Sequence, residues 1–136
     1  MTKTQIQCVQ RLDVDAADRP GWTAGKVAGV AVLLKAGNAN ATIAKLWAHM
    51  PKSEGEEKVA GLEANPLDLV PRKQGYYTYL GSQTAPPCNE GVTWFVLKTP
   101  VEISAQQIEA FAKLYPHDVR PLQPLNGRVV KESRGD

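Results

Sequence analysis

Three segments of the chain carry apolar and β-branched residues at the density of buried strands. Val27 to Leu34 (VAGVAVLL) is an unbroken apolar run between Gly25 and Gly37, short enough to be a strand rather than a helix. Tyr76 to Leu80 (YYTYL) and Val92 to Leu97 (VTWFVL) mix aromatic with β-branched residues and read as two more. Gln5 to Asp13 differs, because Ile6, Cys8 and then Gln10 or Leu12 alternate with polar neighbours. That is the pattern of a half-buried strand. Its expected partner is Val27–Leu34, antiparallel, across a connection rich in Asp, Pro and Gly. Near-continuous apolarity in short strands implies cover on both faces.

The period changes at Ala41 to Met50. Ile43, Leu46, Trp47 and Met50 recur at helical spacing, with Asn40 placed as N-cap and Pro51 as the stop. A second helix opens at Ser104, which forms a capping box with Gln107. Its apolar stripe is Ile108, Phe111, Ala112 and Tyr115, and Pro116 ends it. Lys52 to Leu69 is polar and broken by Gly55, Gly61 and Pro66, hence a surface loop. In the tail, Arg128-Val129-Val130 is short and strand-like. These elements predict an α+β fold: a mostly antiparallel β-sheet with two peripheral helices. Val27–Leu34 and Val92–Leu97 are expected at its centre.

Composition narrows the class without naming it. The chain has 136 residues, 43% of them hydrophobic and 22% charged, with a mean hydropathy of −0.31. This is a globular mix sized for one domain. A chain of this length buries roughly two thirds of the surface its unfolded form exposes, enough for a core. No apolar run approaches the ~20 residues a membrane helix needs, and the first residues show no signal-peptide core. Sixteen basic and fourteen acidic residues are scattered, for a net charge of +2. Neither nucleic acid nor membrane is an expected partner.

Candidate chemistry is scarce. The chain lacks a phosphate-binding glycine loop, an H-E-x-x-H helix, a C-x-x-C pair and a nucleophile elbow. The Asn40-Ala41-Thr42 sequon falls at a helix start, Arg134-Gly135-Asp136 lies at the extreme C-terminus, and Glu54-Gly55-Glu56-Glu57 reads as a solvated loop. Cys8 and Cys88 are far apart and fit either two isolated thiols or a mutual bridge. His49 and His117 are the only histidines, so one copy of the chain cannot supply three imidazoles.

One stretch is specific. Gly81-Ser82-Gln83-Thr84-Ala85-Pro86-Pro87-Cys88-Asn89-Glu90-Gly91-Val92-Thr93-Trp94 closely resembles the signature G-S-L-T-T-P-P-C-x-E-x-V-x-W of the α-class carbonic anhydrases. The likeness continues through Leu97-Lys98-Thr99-Pro100-Val101 and Ser104-Ala105-Gln106-Gln107, and ends at Asn126-Gly127-Arg128. Ala44-Lys45-Leu46-Trp47 and Tyr76-Tyr77-Thr78-Tyr79 look like bacterial members. The match is good over residues 26–133 and weak over 1–25. The chain thus resembles about the C-terminal half of that domain, a single partial domain over 1–136.

The resemblance implies a reaction and a gap in its machinery. In the family, zinc held by three histidines lowers the pKa of bound water to about 7, and the resulting hydroxide attacks carbon dioxide to give bicarbonate. Two of those ligands come from an H-x-H strand that has no counterpart in these residues. The third comes from E-x-H-L-V-H, where Gln5-Ile6-Gln7-Cys8-Val9-Gln10 aligns and puts Gln7 at the ligand position. An amide is a poor zinc ligand beside imidazole. Zinc is therefore the family's cofactor, and this chain alone is expected neither to bind it nor to turn over.

Other family positions carry over by motif. Thr84 matches the gatekeeper threonine, whose hydroxyl orients the metal-bound hydroxide. Val9, Val92 and Trp94 match the lining of the apolar carbon dioxide pocket, and Ala85 replaces a neighbouring threonine. Gln83 stands where leucine is usual, and Gly29 where a larger aliphatic narrows the pocket. Family likeness also implies a cis bond at Pro86-Pro87 and a disulfide partner for Cys88 upstream of these residues, with Cys8 as a possible substitute. It suggests a bacterial periplasmic or secreted setting. A non-catalytic relative is the alternative reading. Half a sheet is expected to associate through its exposed edge, with another copy or with a complementary N-terminal half.

Overall fold

The longest strand, β2 (Val27–Ala36), lies beside β4 (Glu90–Leu97) in the middle of a six-stranded sheet. The computed structural model describes residues 7–10, 27–51, 59–84, 86–116 and 121–135. On the far side of β2 runs β1 (Gln7–Gln10), and on the far side of β4 runs β3 (Tyr76–Ser82), followed by the two-residue β6 (Lys131–Glu132). A short β5 (Val101–Ile103) pairs with the end of β2.

Sequence expectation and structure agree on the centre of the sheet and on the antiparallel β1–β2 pair, where Gln7 faces Leu33 and Val9 faces Ala31. The central pair runs the other way. β2 and β4 are parallel, Val27 beside Val92 and Gly29 beside Trp94, and β2 and β5 are parallel as well. Periodicity within a strand carries no sign of direction, so the pairing sense was beyond its reach. The β3–β4 and β3–β6 pairs are antiparallel, which leaves the sheet mostly antiparallel.

Helix α1 (Ala41–Ala48) starts as its cap predicts, with Asn40 Oδ1 accepting from Ile43 N at 3.0 Å. Helix α2 (Ala105–Leu114) has both arms of the capping box: Ser104 Oγ accepts from Gln107 N, and Gln107 Oε1 accepts from Ser104 N. Both satisfy donors that the first helical turn leaves orphaned. The helices meet through stacked Trp47 and Phe111 rings, 5.5 Å apart. Of the α2 stripe, Ile108 and Phe111 are half-buried, but Ala112 and Tyr115 are exposed. No element among the described residues covers that end.

The core forms two clusters. One joins Leu34, Ile43 and Ile103, with Trp47, Val101 and Ile108 against them, and fastens both helices to the end of β2. Ile43 and Ile103 are 1% and 0% exposed, and burying each contributes roughly 1.5–3 kcal/mol. The other joins Ala31, Val92 and Trp94, with Tyr79 and Val96. Strand alternation puts Leu34 and Ala31 on opposite faces, so the two clusters sit on the two sides of the sheet.

Two more expectations need correction. The 52–69 loop ends in a 3₁₀ turn, Pro66–Leu69, capped by Asn65, whose side chain accepts from Leu67 N. The tail strand is Lys131–Glu132 rather than Arg128–Val130. Arg128 instead donates to the carbonyls of Leu125 and Pro124, which holds that stretch in a turn. The acidic loop Glu54–Glu57, His117 and Asp136 lie outside the described residues.

Candidate functional site

Strand register places most of the expected pocket residues on one face. Val92 pairs with Val27 on one side and Gly81 on the other, and Trp94 pairs with Gly29 and Tyr79. Residues in register share a face, so Gly29, Ala31, Val92, Trp94 and Tyr79 form one wall across β2, β4 and β3. Val9 occupies the register position opposite Ala31 on β1, and Gln7 lies two positions away, opposite Leu33. The wall is apolar, with Val92 4% and Trp94 7% exposed.

Trp94 is fixed at both ends of its ring. Its Nε1–H donates to the Ser82 carbonyl at 3.0 Å. The other edge lies over Gly29: a Cβ there would sit 2.6 Å from one ring carbon and within 2.9 Å of two more. The Gly81 position is nearly as tight, since a Cβ there would come within 2.9 Å of Tyr79 and 3.0 Å of Trp94. The indole therefore spans three strands, and small residues on both flanks make the room.

The loop bearing Gln83 and Thr84 leaves β3 where the pairing with β4 shifts register, between Gly81 and Ser82. Gln83 N donates to Asn89 O at 2.9 Å and closes the loop at its neck, while Ser82 Oγ donates to the Gln83 carbonyl. Pro86-Pro87 is cis, as the family likeness implied, and Cys88 follows with φ 58°. Gln83 is half-buried and Thr84 exposed. Cys88 is a free, half-buried thiol. Ala85 lies outside the described residues, as do the side chains of Gln7, Cys8 and Val9.

The residues present do not fit a three-histidine zinc site. On β1 the residue aligned by motif with a family histidine is an amide, Gln7, opposite Leu33. His49 is exposed at the C-cap of α1, and no group of three metal-ligating side chains occurs among the described residues. A separate groove of about 310 Å³ lies between the end of β3 and the 121–128 segment, lined by Ser82, Glu90, Gln123, Asn126 and Arg128 among others. Thr84, Val92, Trp94 and Gly29 take no part in it.

Sequence reasoning missed Ala31 and Tyr79, which complete the wall. A period of two counted from Gly29 reaches Ala31, but an unbroken apolar run hides which alternate set faces inward. Val30 and Val32 of the same run are half-buried on the opposite face, Val30 beside Phe95.

Comparison with known proteins agrees with this fold. The family model of eukaryotic-type carbonic anhydrase matches residues 6–134. A carbonic anhydrase of Nostoc is 37% identical over 110 residues, covering 80% of this chain and 42% of that protein. One from Klebsiella pneumoniae is 43% identical over 109 residues, covering 79% and 44%. Among solved structures, the α-carbonic anhydrase of Thermovibrio ammonificans in complex with sulfanilamide superposes with a TM-score of 0.74 at 41% identity, covering 78% of this chain and 47% of that one. A hyperthermostable carbonic anhydrase from a hydrothermal vent chimney gives 0.76 at 42% identity, covering 81% and 50%. This chain spans about half the length of these relatives, and over the matched part its fold superposes on theirs. It belongs to the eukaryotic-type, or α-class, carbonic anhydrase family.

Proposed function

We propose that these residues supply the carbon-dioxide-facing wall of an α-carbonic anhydrase site and, on their own, neither hold zinc tightly nor hydrate carbon dioxide. The relevant family reaction is the reversible hydration of carbon dioxide to bicarbonate. The observation that supports the proposal is that the motif likeness aligns Gln7, on β1 opposite Leu33, with a family histidine, in a sequence with only two histidines. Tight zinc binding needs several neutral imidazoles converging with one open position. Water away from a metal keeps a pKa near 15.7, so an apolar wall with a threonine at its rim has no nucleophile to direct. Val92 and Trp94 offer an apolar surface to a substrate without charge, and Gln83 puts an amide where the family has leucine.

The test pairs elemental analysis after dialysis with stopped-flow carbon dioxide hydration. The expected result is no stoichiometric zinc and no turnover above buffer. Addition of a family N-terminal segment carrying H-x-H, together with Gln7→His, should then restore zinc uptake and chelator-sensitive hydration. Stoichiometric zinc with turnover by the chain alone would overturn the proposal. No gain on adding the segment would favour the second reading, a non-catalytic relative that uses the same surface for binding.

A further inference from the structure

The geometry points to Trp94, rather than residue 29, as the residue that sets how much room an apolar substrate has on this wall. This inference rests on the reading of the wall as the carbon-dioxide-facing surface. A glycine where the family carries a larger aliphatic would by itself widen the pocket. Here the space is taken. Three carbons on the six-membered edge of the indole lie 2.6–2.9 Å from where a Cβ of residue 29 would sit, closer than real side chains approach. The ring cannot easily yield that space. Its Nε1–H is tied to Ser82 O at 3.0 Å, its pyrrole edge abuts Gly81, and it is 7% exposed among Ala31, Val92, Tyr79 and Val96. Gly29 is thus the relief that admits the indole, and the protein fills the apolar end of its own site.

The contrast with an open pocket is one of sign. Glycine inside a strand is entropically costly, so Gly29→Ala raises stability if the site has room for a methyl group. If the indole fills that space, the same change lowers the urea midpoint and moves Trp94. Chain labelled with 5-fluorotryptophan reports the movement, the Trp94 resonance being identified by its loss in Trp94→Phe. In Gly29→Ala that resonance should shift while those of Trp22 and Trp47 hold still. In a Trp94→Leu background, Gly29→Ala should no longer lower the midpoint.

Xenon, an apolar gas probe, supplies a readout that needs no variant. Amide signals of residues 29, 31 and 92 in the unmutated chain should not shift saturably under xenon pressure, and in Trp94→Leu they should. Saturable xenon binding beside Gly29 in the unmutated chain, or a Gly29→Ala variant that is more stable with Trp94 undisturbed, would overturn the inference. Neither measurement depends on zinc. An open wall therefore sinks this inference alone, and turnover by the isolated chain sinks only the reading it rests on.

Discussion

The side-chain amide of Gln107 clasps the backbone of Asn40 at both of its ends. Oε1 accepts from Asn40 N at 3.0 Å, and Nε2 donates to Asn40 O at 2.8 Å, while the same Oε1 also accepts from Ser104 N. Asn40 caps α1 and Ser104 caps α2, so one glutamine joins the starts of both helices.

Gln107→Ala removes all three bonds from a partly buried place and should cost about 2–3 kcal/mol in urea unfolding, more than loss of a helix cap alone. Gln107→Glu keeps the two acceptor bonds but turns a carboxylate toward the Asn40 carbonyl. It should fall between the parent and the alanine variant. Equal stability of Gln107→Ala and the parent would show that the clasp contributes nothing.

Trp94→Phe keeps an aromatic ring in the wall but loses the donor to Ser82 O. Expected destabilisation is roughly 1–3 kcal/mol, from a lost hydrogen bond and a partial cavity. Trp94→Ala should cost more, about 3–5 kcal/mol. Thermal and urea unfolding measure both, and a Phe variant as stable as the parent would remove the tie from the account.

Glu102 gives an acid-side signature. The Lys35 ammonium, bonded to it at 3.0 Å, and the Asn38 backbone and side-chain amides hold its carboxyl below the ordinary glutamate range. A carboxyl with a lowered folded pKa stabilises the fold fully above its unfolded pKa of about 4.3. That contribution is lost as pH falls through the folded value. The group is solvent-exposed and the effect small, so the comparison is one of slope. Stability of the parent should drop more steeply below about pH 4.3 than that of Glu102→Gln, and parallel curves would refute the assignment.

Self-association is the fourth expectation. Among the described residues, β6 and the adjoining Ser133 cover Tyr76, Tyr77 and Thr78 along the outer edge of β3, and Leu80, Leu122, Leu125 and Val129 nearby are exposed, Leu122 by 99%. An open strand edge beside exposed aliphatic side chains favours pairing with a second copy. Light scattering at micromolar concentration should report a dimer or larger species. A stable monomer would show that the edge is protected in solution.

Much of this was legible in the sequence because it is local. Asn40, Ser104 and Gln107 announce the helix starts through side chain-to-backbone bonds that span three residues, and the β-branched runs announce β2 and β4. The motif around Thr84 gave the loop, the cis-proline and the buried Trp94. What stayed hidden depends on partners distant along the chain. The grip of Gln107 on Asn40, the parallel sense of β2 against β4 and the indole lying over Gly29 each join residues that no periodicity connects. β5 was passed over because Val101–Ile103 is too short to show alternation.

The parallel pairing of β2 with β4 also bears on how the chain reaches its fold. Antiparallel β3 and β4 are neighbours in sequence and can meet early, since closing a short loop costs little entropy. β2 gains its place beside β4 only when Val27 finds Val92, across a long stretch that includes α1 and all of β3. Contacts so distant slow folding, and until they form, the apolar run from Val27 to Leu34 stays open to neighbouring chains during synthesis. The strand that enters both core clusters is then also the one for which a chaperone matters most.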